Sequence, residues 1–283
     1  VFRAYISVDM EGMPGIVYTP QTSPRGLMHE EAWRIASLVV RRAAEKLLAE
    51  GFEEVYVADS HWHMGNIRYE DMPRGVTLLR GLGRPYTMVY GVEKGFDAAL
   101  FLGYHSRYCT AGSVLDHTYS GTRVKRLLIN GVDASEFYLN ALTAGFYGVP
   151  VILVAGDDKL RLDVEEKAPW VEYVVFKESV SRYAAFNPSL PEALERLDKG
   201  IERAIRRLRE GHAKPLRLEG RVEVTLTFPN SGNADAAMLI PGTQRIDGCT
   251  VSYRAENIVE AYKYLQAAVL VAASLESSVR EYS

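Results

Sequence analysis

Short apolar runs that end abruptly in polar residues constrain this chain more than any other feature. Residues 55–58 run into Asp59, Ser60 and His61, residues 98–102 into Gly103, Tyr104 and His105, and residues 151–155 into Gly156, Asp157 and Asp158. A fourth segment, residues 2–9, alternates and then enters a loop carrying Gly12, Pro14 and Gly15. Continuous apolar strands of this length are buried on both faces, which requires helices above and below a largely parallel sheet. The intervening sequence supplies them: across residues 29–50, Trp33, Ala36, Val40, Ala43 and Leu47 recur at helical spacing, and Gly51 closes the run. In such sheets ligands gather beyond the carboxyl ends of the strands, where the polar residues of this chain sit.

After about residue 180 the pattern changes. Residues 191–210 form an amphipathic helix with Leu194, Leu197, Ile201, Ala204 and Leu208 on one face and Arg203, Arg206, Arg207 and Arg209 on a solvated one. Strands at residues 222–228 and near 250–253 precede a long helix from about Asn257. The expected architecture is therefore α/β. Residues 1–180 form a mostly parallel sheet covered by helices on both faces, and residues 181–283 form a smaller C-terminal α+β subdomain.

Composition narrows the function. The 283 residues carry 33 Lys and Arg against 36 Asp and Glu, a net charge of −3, so the basic excess of a nucleic-acid binder is missing and no such partner is expected. The longest apolar run, residues 267–273, is too short to span a bilayer, and no membrane association is expected. Residues 1–9 read as a charged strand rather than a leader. The two cysteines, Cys109 and Cys249, form no C-x-x-C pattern, so a reducing compartment, the cytoplasm, is the expected location.

The strand ends hold the chemistry. Asp9 and Glu11 lie two residues apart, and period-two geometry points both carboxylates the same way. Adjacent carboxylates repel unless a cation lies between them. His61 and His105 each follow a strand directly, at the same edge of the sheet, and imidazole with carboxylate suits zinc or a similar divalent ion. Each element of this pattern is weak alone, since a lone D-x-E often faces water and a lone histidine is often only hydrogen-bonded. His63 lies further into its loop and is left out of the ligand set, whereas Asp59 reads as a loop cap or a support behind the ligands. His117, in a loop, is a candidate general acid or base, and Asp116 beside it would raise its pKa. Glu136 has two readings. With Asp133 it has the form of a capping box, the reading that pattern alone favours; as a ligand it would supply the further carboxylate of a two-metal site. Asp157 and Asp158 read as strand-end or helix-capping residues. Phosphate-loop, G-x-S-x-G and H-E-x-x-H patterns are missing.

Taken together, these segments are similar to a known family. Ser7, Asp9, Glu11 and Gly12 match the S-x-D-x-E-G signature of the D-aminopeptidases of peptidase family M55. Further matches follow in order: Asp59-Ser60-His61, Leu102-Gly103-Tyr104-His105, the His117 segment, Glu136 with Leu139 and Asn140, and residues 149–158. Weaker similarity reaches Ile240-Pro241-Gly242-Thr243 and residues 255–262, so nearly the whole chain is covered. The resemblance implies a zinc-dependent aminopeptidase that uses a metal-activated water on short peptides with an N-terminal D-residue. It further implies two zinc ions per chain and a large ring-shaped homo-oligomer, a homodecamer. Position by position it implies Asp9, Glu11, His61, His105 and Glu136 as metal ligands, with Asp9 bridging, and His117 as the catalytic histidine. It thereby favours the ligand reading of Glu136 over the helix cap. The alternatives are a di-metal hydrolase of another amide or of a phosphate ester, and a non-catalytic peptide- or metal-binding homologue.

Overall fold

Alternation along the central strands sorts their side chains to two cores. In β1 (Arg3–Val8), Ala4, Ile6 and Val8 enter one apolar cluster while Tyr5 enters the other. The same division recurs in β4 (Ala98–Tyr104), where Leu100 and Leu102 face one side and Phe101 the other. The computed structural model describes residues 1–281. Its larger sheet has seven strands, with β2 (Glu54–Asp59), β3 (Val76–Leu79), β7 (Val151–Asp157), β8 (Glu172–Ser181) and β9 (Ala184–Phe186) beside β1 and β4. Their order is β3-β2-β1-β4-β7-β8-β9, and only β9 pairs antiparallel. This is a doubly wound order whose direction reverses between β1 and β4, the place where open α/β sheets receive ligands.

Helices cover both faces. On one side lie α2 (His29–Ala49), preceded by the short α1 (Thr19–Thr22), and α5 (Leu190–Arg209), whose Leu197 and Ile201 are fully buried. Burial of each such side chain contributes roughly 1.5–3 kcal/mol. Ser189 and Glu192 form a capping box that starts α5. On the other side lie α3 (Glu136–Phe146), α4 (Leu160–Lys167) and α7 (Ile258–Glu281). The apolar stripe of α7, from Ile258 through Tyr262, Leu265 and Ala268 to Ala272, belongs to that core. By length and hydropathy α7 could cross a bilayer, a property that the seven-residue apolar run does not convey; half of its most apolar stretch is buried within the protein.

The smaller sheet has the order β11-β12-β10-β5-β6, with β10 (Val222–Thr227), β11 (Gln244–Arg245) and β12 (Thr250–Ala255) joined by β5 (Arg126–Ile129) and β6 (Val132–Asp133). Beside it lies α6 (Ser231–Ala237), packed on α7. The sheets therefore do not divide the chain at residue 181. Strands β5 and β6 leave the first segment to pair with β10, while α5 from the second packs on β7, β8 and α2. The apolar face of α5 matches the large sheet, and a boundary drawn from a change of pattern could not register that docking.

Candidate metal centre

The site lies at the reversal point. Past β1 the chain turns at once, and Asp9 N–H donates to Leu102 O at 2.8 Å while Gly12 N–H donates to Gly103 O at 2.8 Å. Two glycines permit this approach. A Cβ on Gly12 would stand 1.8 Å from Tyr104 O, and one on Gly103 would stand 2.0 Å from Asp9 O. Main chain thus packs on main chain, and the ends of β1 and β4 bring Asp9, Glu11 and His105 together. The end of β2 adds His61, the first turn of α3 adds Glu136, and the loop after β4 adds His117.

Three imidazoles are fixed in the same way. One nitrogen of each ring faces a backbone carbonyl: His61 Nε2 lies 2.8 Å from Thr22 O, His105 Nδ1 lies 2.9 Å from Ser106 O, and His117 Nδ1 lies 2.8 Å from Leu115 O. A carbonyl only accepts, so these contacts assign an N–H to that nitrogen and leave the other to the site. The free nitrogens converge on carboxylates. His61 Nδ1 lies 2.9 Å from Asp9 Oδ1 and 3.0 Å from Glu11 Oε2. His105 Nε2 lies 3.2 Å from Asp9 Oδ2 and 3.5 Å from Glu136 Oε2. His117 Nε2 lies 3.6 Å from Glu136 Oε1 and 3.9 Å from Glu11 Oε1. Asp9 therefore offers one oxygen to each half of the cluster.

Three carboxylates with such neighbours require positive charge. Asp9, Glu11 and Glu136 are buried, as are His61 and His105. Burial raises the Asp9 pKa, and the charges of Glu11 and Glu136 add to it. Burial also pushes Glu11 and Glu136 up, but the neighbouring imidazoles overcome it, holding Glu11 well below the usual range and Glu136 at about 2. Conversely, burial lowers His61 and His105, and the carboxylates around them more than reverse this. A divalent cation would serve every one of these contacts. Although His105 Nε2 and Glu11 Oε2 are buried and lie close to Asp9 and His61, neither contact has the geometry of a hydrogen bond. Ligand atoms of Asp9, Glu11 and His105, and separately of His105, His117 and Glu136, all lie within 4.8 Å of one another. Buried nitrogen and oxygen donors at this spacing fit zinc.

Comparison with known proteins agrees with this chemistry. The sequence profile of the M55 peptidases, described as D-aminopeptidase, matches residues 2–267. The chain belongs to the D-aminopeptidase family. It is 35% identical over 268 residues to a D-aminopeptidase of Bacillus subtilis (strain 168), covering 92% of this chain and 94% of that one. The fold also superposes on a solved structure, the Zn-dependent D-aminopeptidase DppA from Bacillus subtilis, a self-compartmentalizing protease. That match has a TM-score of 0.92 and 32% identity, over 96% of this chain and 98% of the other.

Within this D-aminopeptidase family member, two local expectations change. The capping box at Asp133 does not form. Helix α3 begins at Glu136 itself, its cap is Ser135, whose Oγ accepts from Tyr138 N at 3.1 Å, and Asp133 instead pairs with Arg126 at 2.8 Å. The Glu136 carboxylate is thereby left to accept from Tyr119 N at 2.7 Å and to face the two histidines. Asp116 does not turn to His117: its carboxylate pairs with Arg182 and accepts from Thr110 N at 3.1 Å. Asp59 caps its loop, accepting from Asn66 N at 2.5 Å and Ile67 N at 2.8 Å. Asp157 likewise accepts from Lys159 N and Leu160 N at the start of α4.

Sequence reasoning missed the supports beneath the cluster. Ser7 Oγ meets Tyr104 OH at 2.7 Å and donates to Met88 O, and Asn140 Nδ2 donates to the same phenol at 2.9 Å. Asn140 lies one helical turn after Glu136, so this bond holds the face of α3 that presents the glutamate. An i, i+4 pair of Glu136 and Asn140 in a mostly apolar helix was the available signal. Lys177 and Arg182, from β8 and the turn after it, carried no signal.

Proposed function

We propose that this chain is a zinc-dependent D-aminopeptidase that removes the N-terminal residue of short peptides carrying a D-residue there, using two divalent ions per chain. The observation that carries the reading is the convergence of three carbonyl-anchored imidazoles on three buried carboxylates. Asp9, Glu11, His61, His105 and Glu136 would hold the two ions, with Asp9 shared between them. Zinc bound there supplies Lewis-acid polarisation of the scissile carbonyl and acidification of a water.

The chain's own residues account for proton movement. His117 is the more exposed of the clustered histidines, and its Nδ1 is committed to Leu115 O. Its Nε2 is therefore free to take a proton from the attacking water and to return it to the departing amine. The ring cannot turn without losing its carbonyl contact, so the acceptor is held in place before substrate arrives.

A homo-oligomeric assembly is supported by the self-compartmentalizing relative and by the exposed apolar side chains Leu239, Ile246, Leu270 and Val279. A ring-shaped homodecamer is the assembly we propose, and native mass spectrometry of the full chain reads its subunit number directly. Cytoplasmic location is proposed on the two unpaired cysteines.

The deciding experiment combines elemental analysis with a panel of D- and L-aminoacyl amides and a phosphomonoester. About two zinc ions per chain, with chelator-sensitive cleavage of the D-amides alone, is the expected result. Cleavage of the phosphomonoester instead would favour the other di-metal hydrolase, and zinc binding without turnover would favour a non-catalytic homologue.

A further inference from the structure

Lys177 lies in the middle of β8, beside Asp157 at the end of β7, and has no exposed surface. Among the described residues its ammonium forms no ion pair with a carboxylate. It donates to three backbone carbonyls of the turn after β1, those of Glu11, Met13 and Ile16, the Met13 contact being 2.9 Å. An ammonium has three protons arranged around one atom, and here each finds one acceptor. The segment that it gathers has no helix or strand of its own, and it bridges 161 to 166 positions of sequence in doing so.

We infer that Lys177 is a positioning residue that sets the Glu11 arm of the metal centre. The inference rests on the zinc reading above and deepens it. Glu11 is held from two directions: Gly12 N–H is tied to Gly103 O on β4, and the Glu11 carbonyl is tied to Lys177 from β8. Met13 and Ile16 are buried in the core that α2 and α5 share, and Asn187 and Gln21 hold Gly15 at the far side of the turn, whereas the Glu11, Met13 and Ile16 carbonyls are gathered by this ammonium. With both carbonyl and following amide fixed, the Glu11 backbone is held where its carboxylate meets His61 at 3.0 Å and faces His117 at 3.9 Å. An arginine would keep the charge but spreads its donors over a planar fork, which cannot cap three carbonyls that converge on one point.

The test uses full-length protein with Lys177→Met and Lys177→Arg, and Leu197→Ala on α5 as a variant that loosens the same core without removing a hydrogen bond to the turn. Zinc affinity is read by chelator competition, and kcat and KM are read on a D-alanyl amide. Both Lys177 variants are expected to bind at least one zinc tenfold or more less tightly and to lose kcat by a larger factor than any rise in KM. Leu197→Ala, with a comparable fall in melting temperature, is expected to keep wild-type zinc affinity. Wild-type zinc affinity in Lys177→Arg overturns the inference, whether or not Lys177→Met folds. An equal zinc loss in Leu197→Ala also overturns it, because general destabilisation would then be sufficient. Should the wild-type chain itself bind no zinc, the metal reading fails on that measurement alone and the inference falls with it.

Discussion

The His117 ring stacks on the His105 ring, with centroids 4.2 Å apart and planes 18° from parallel. The two imidazoles lie side by side yet are tied to different carbonyls, so one can serve the cluster while the other faces the opening. Replacing His117 with Ala is expected to lower turnover by about a hundredfold or more, the scale of a general acid–base group. Zinc content measured by elemental mass spectrometry should stay at the wild-type value. Parallel loss of zinc would make His117 a ligand.

Glu136 and Ser135 separate two roles that adjacent residues share out. Ser135→Ala removes the helix cap and is expected to cost about 1 kcal/mol in denaturant unfolding, with zinc retained. Glu136→Gln preserves the helix start but removes a charged oxygen donor, and is expected to leave roughly one zinc per chain. If Glu136→Gln kept full zinc and Ser135→Ala lost it, the assignment of α3 would be reversed.

The chelated protein should show an unusual pH dependence. Glu11 and Glu136 sit below their ordinary pKa, so their contribution to stability is present above about pH 4.3 and lost on acidification. His61 and His105 sit above theirs, so their contribution is complete below about pH 6.5 and lost as pH rises through their folded values. Melting temperature in chelator is therefore expected to peak between about pH 4.5 and 6.5 and to fall toward alkaline pH. With zinc present the trend across neutrality should reverse, because zinc competes with protons for the same atoms. Differential scanning calorimetry with and without chelator checks both directions.

Arg182 offers a test of the loop that carries His117. It pairs with the Asp116 carboxylate, also donates to Asp116 O at 2.7 Å, and its own carbonyl accepts from Leu115 N at 3.0 Å. Arg182→Ala leaves Asp116 without its cation and removes both side-chain bonds to the segment whose Leu115 carbonyl anchors His117, leaving the main-chain bond from Leu115 N–H. Turnover is expected to fall about tenfold at unchanged zinc content, the scale of a misplaced catalytic group. Unchanged kinetics would show that the loop holds His117 unaided.

Much of this site is legible along the chain because a parallel sheet exposes the residues directly after its strands. Asp9, His61 and His105 each follow a short apolar run, and the runs announce themselves. Glu136 was harder to place. Its neighbours allow a cap starting at Asp133, and only the pairing of Asp133 with Arg126 across the β5–β6 turn moves the cap to Ser135. Lys177 and Arg182 were not legible, since their partners are 66 to 166 positions away and their roles depend on main-chain carbonyls. The division between the sheets was obscured for a similar reason: β5 reads as part of the first segment until β10 arrives, nearly a hundred residues later, to pair with it.

The carbonyls that orient the three histidines belong to Thr22, Ser106 and Leu115. A main-chain oxygen persists whatever side chain its residue bears, so these positions can change identity while continuing to steer an imidazole. An alanine scan would pass over their guiding role. The orientation of the centre is thus written partly in the path of the backbone, where single substitutions seldom reach, and a proline or an inserted residue beside those three positions would disturb it more than most side-chain replacements.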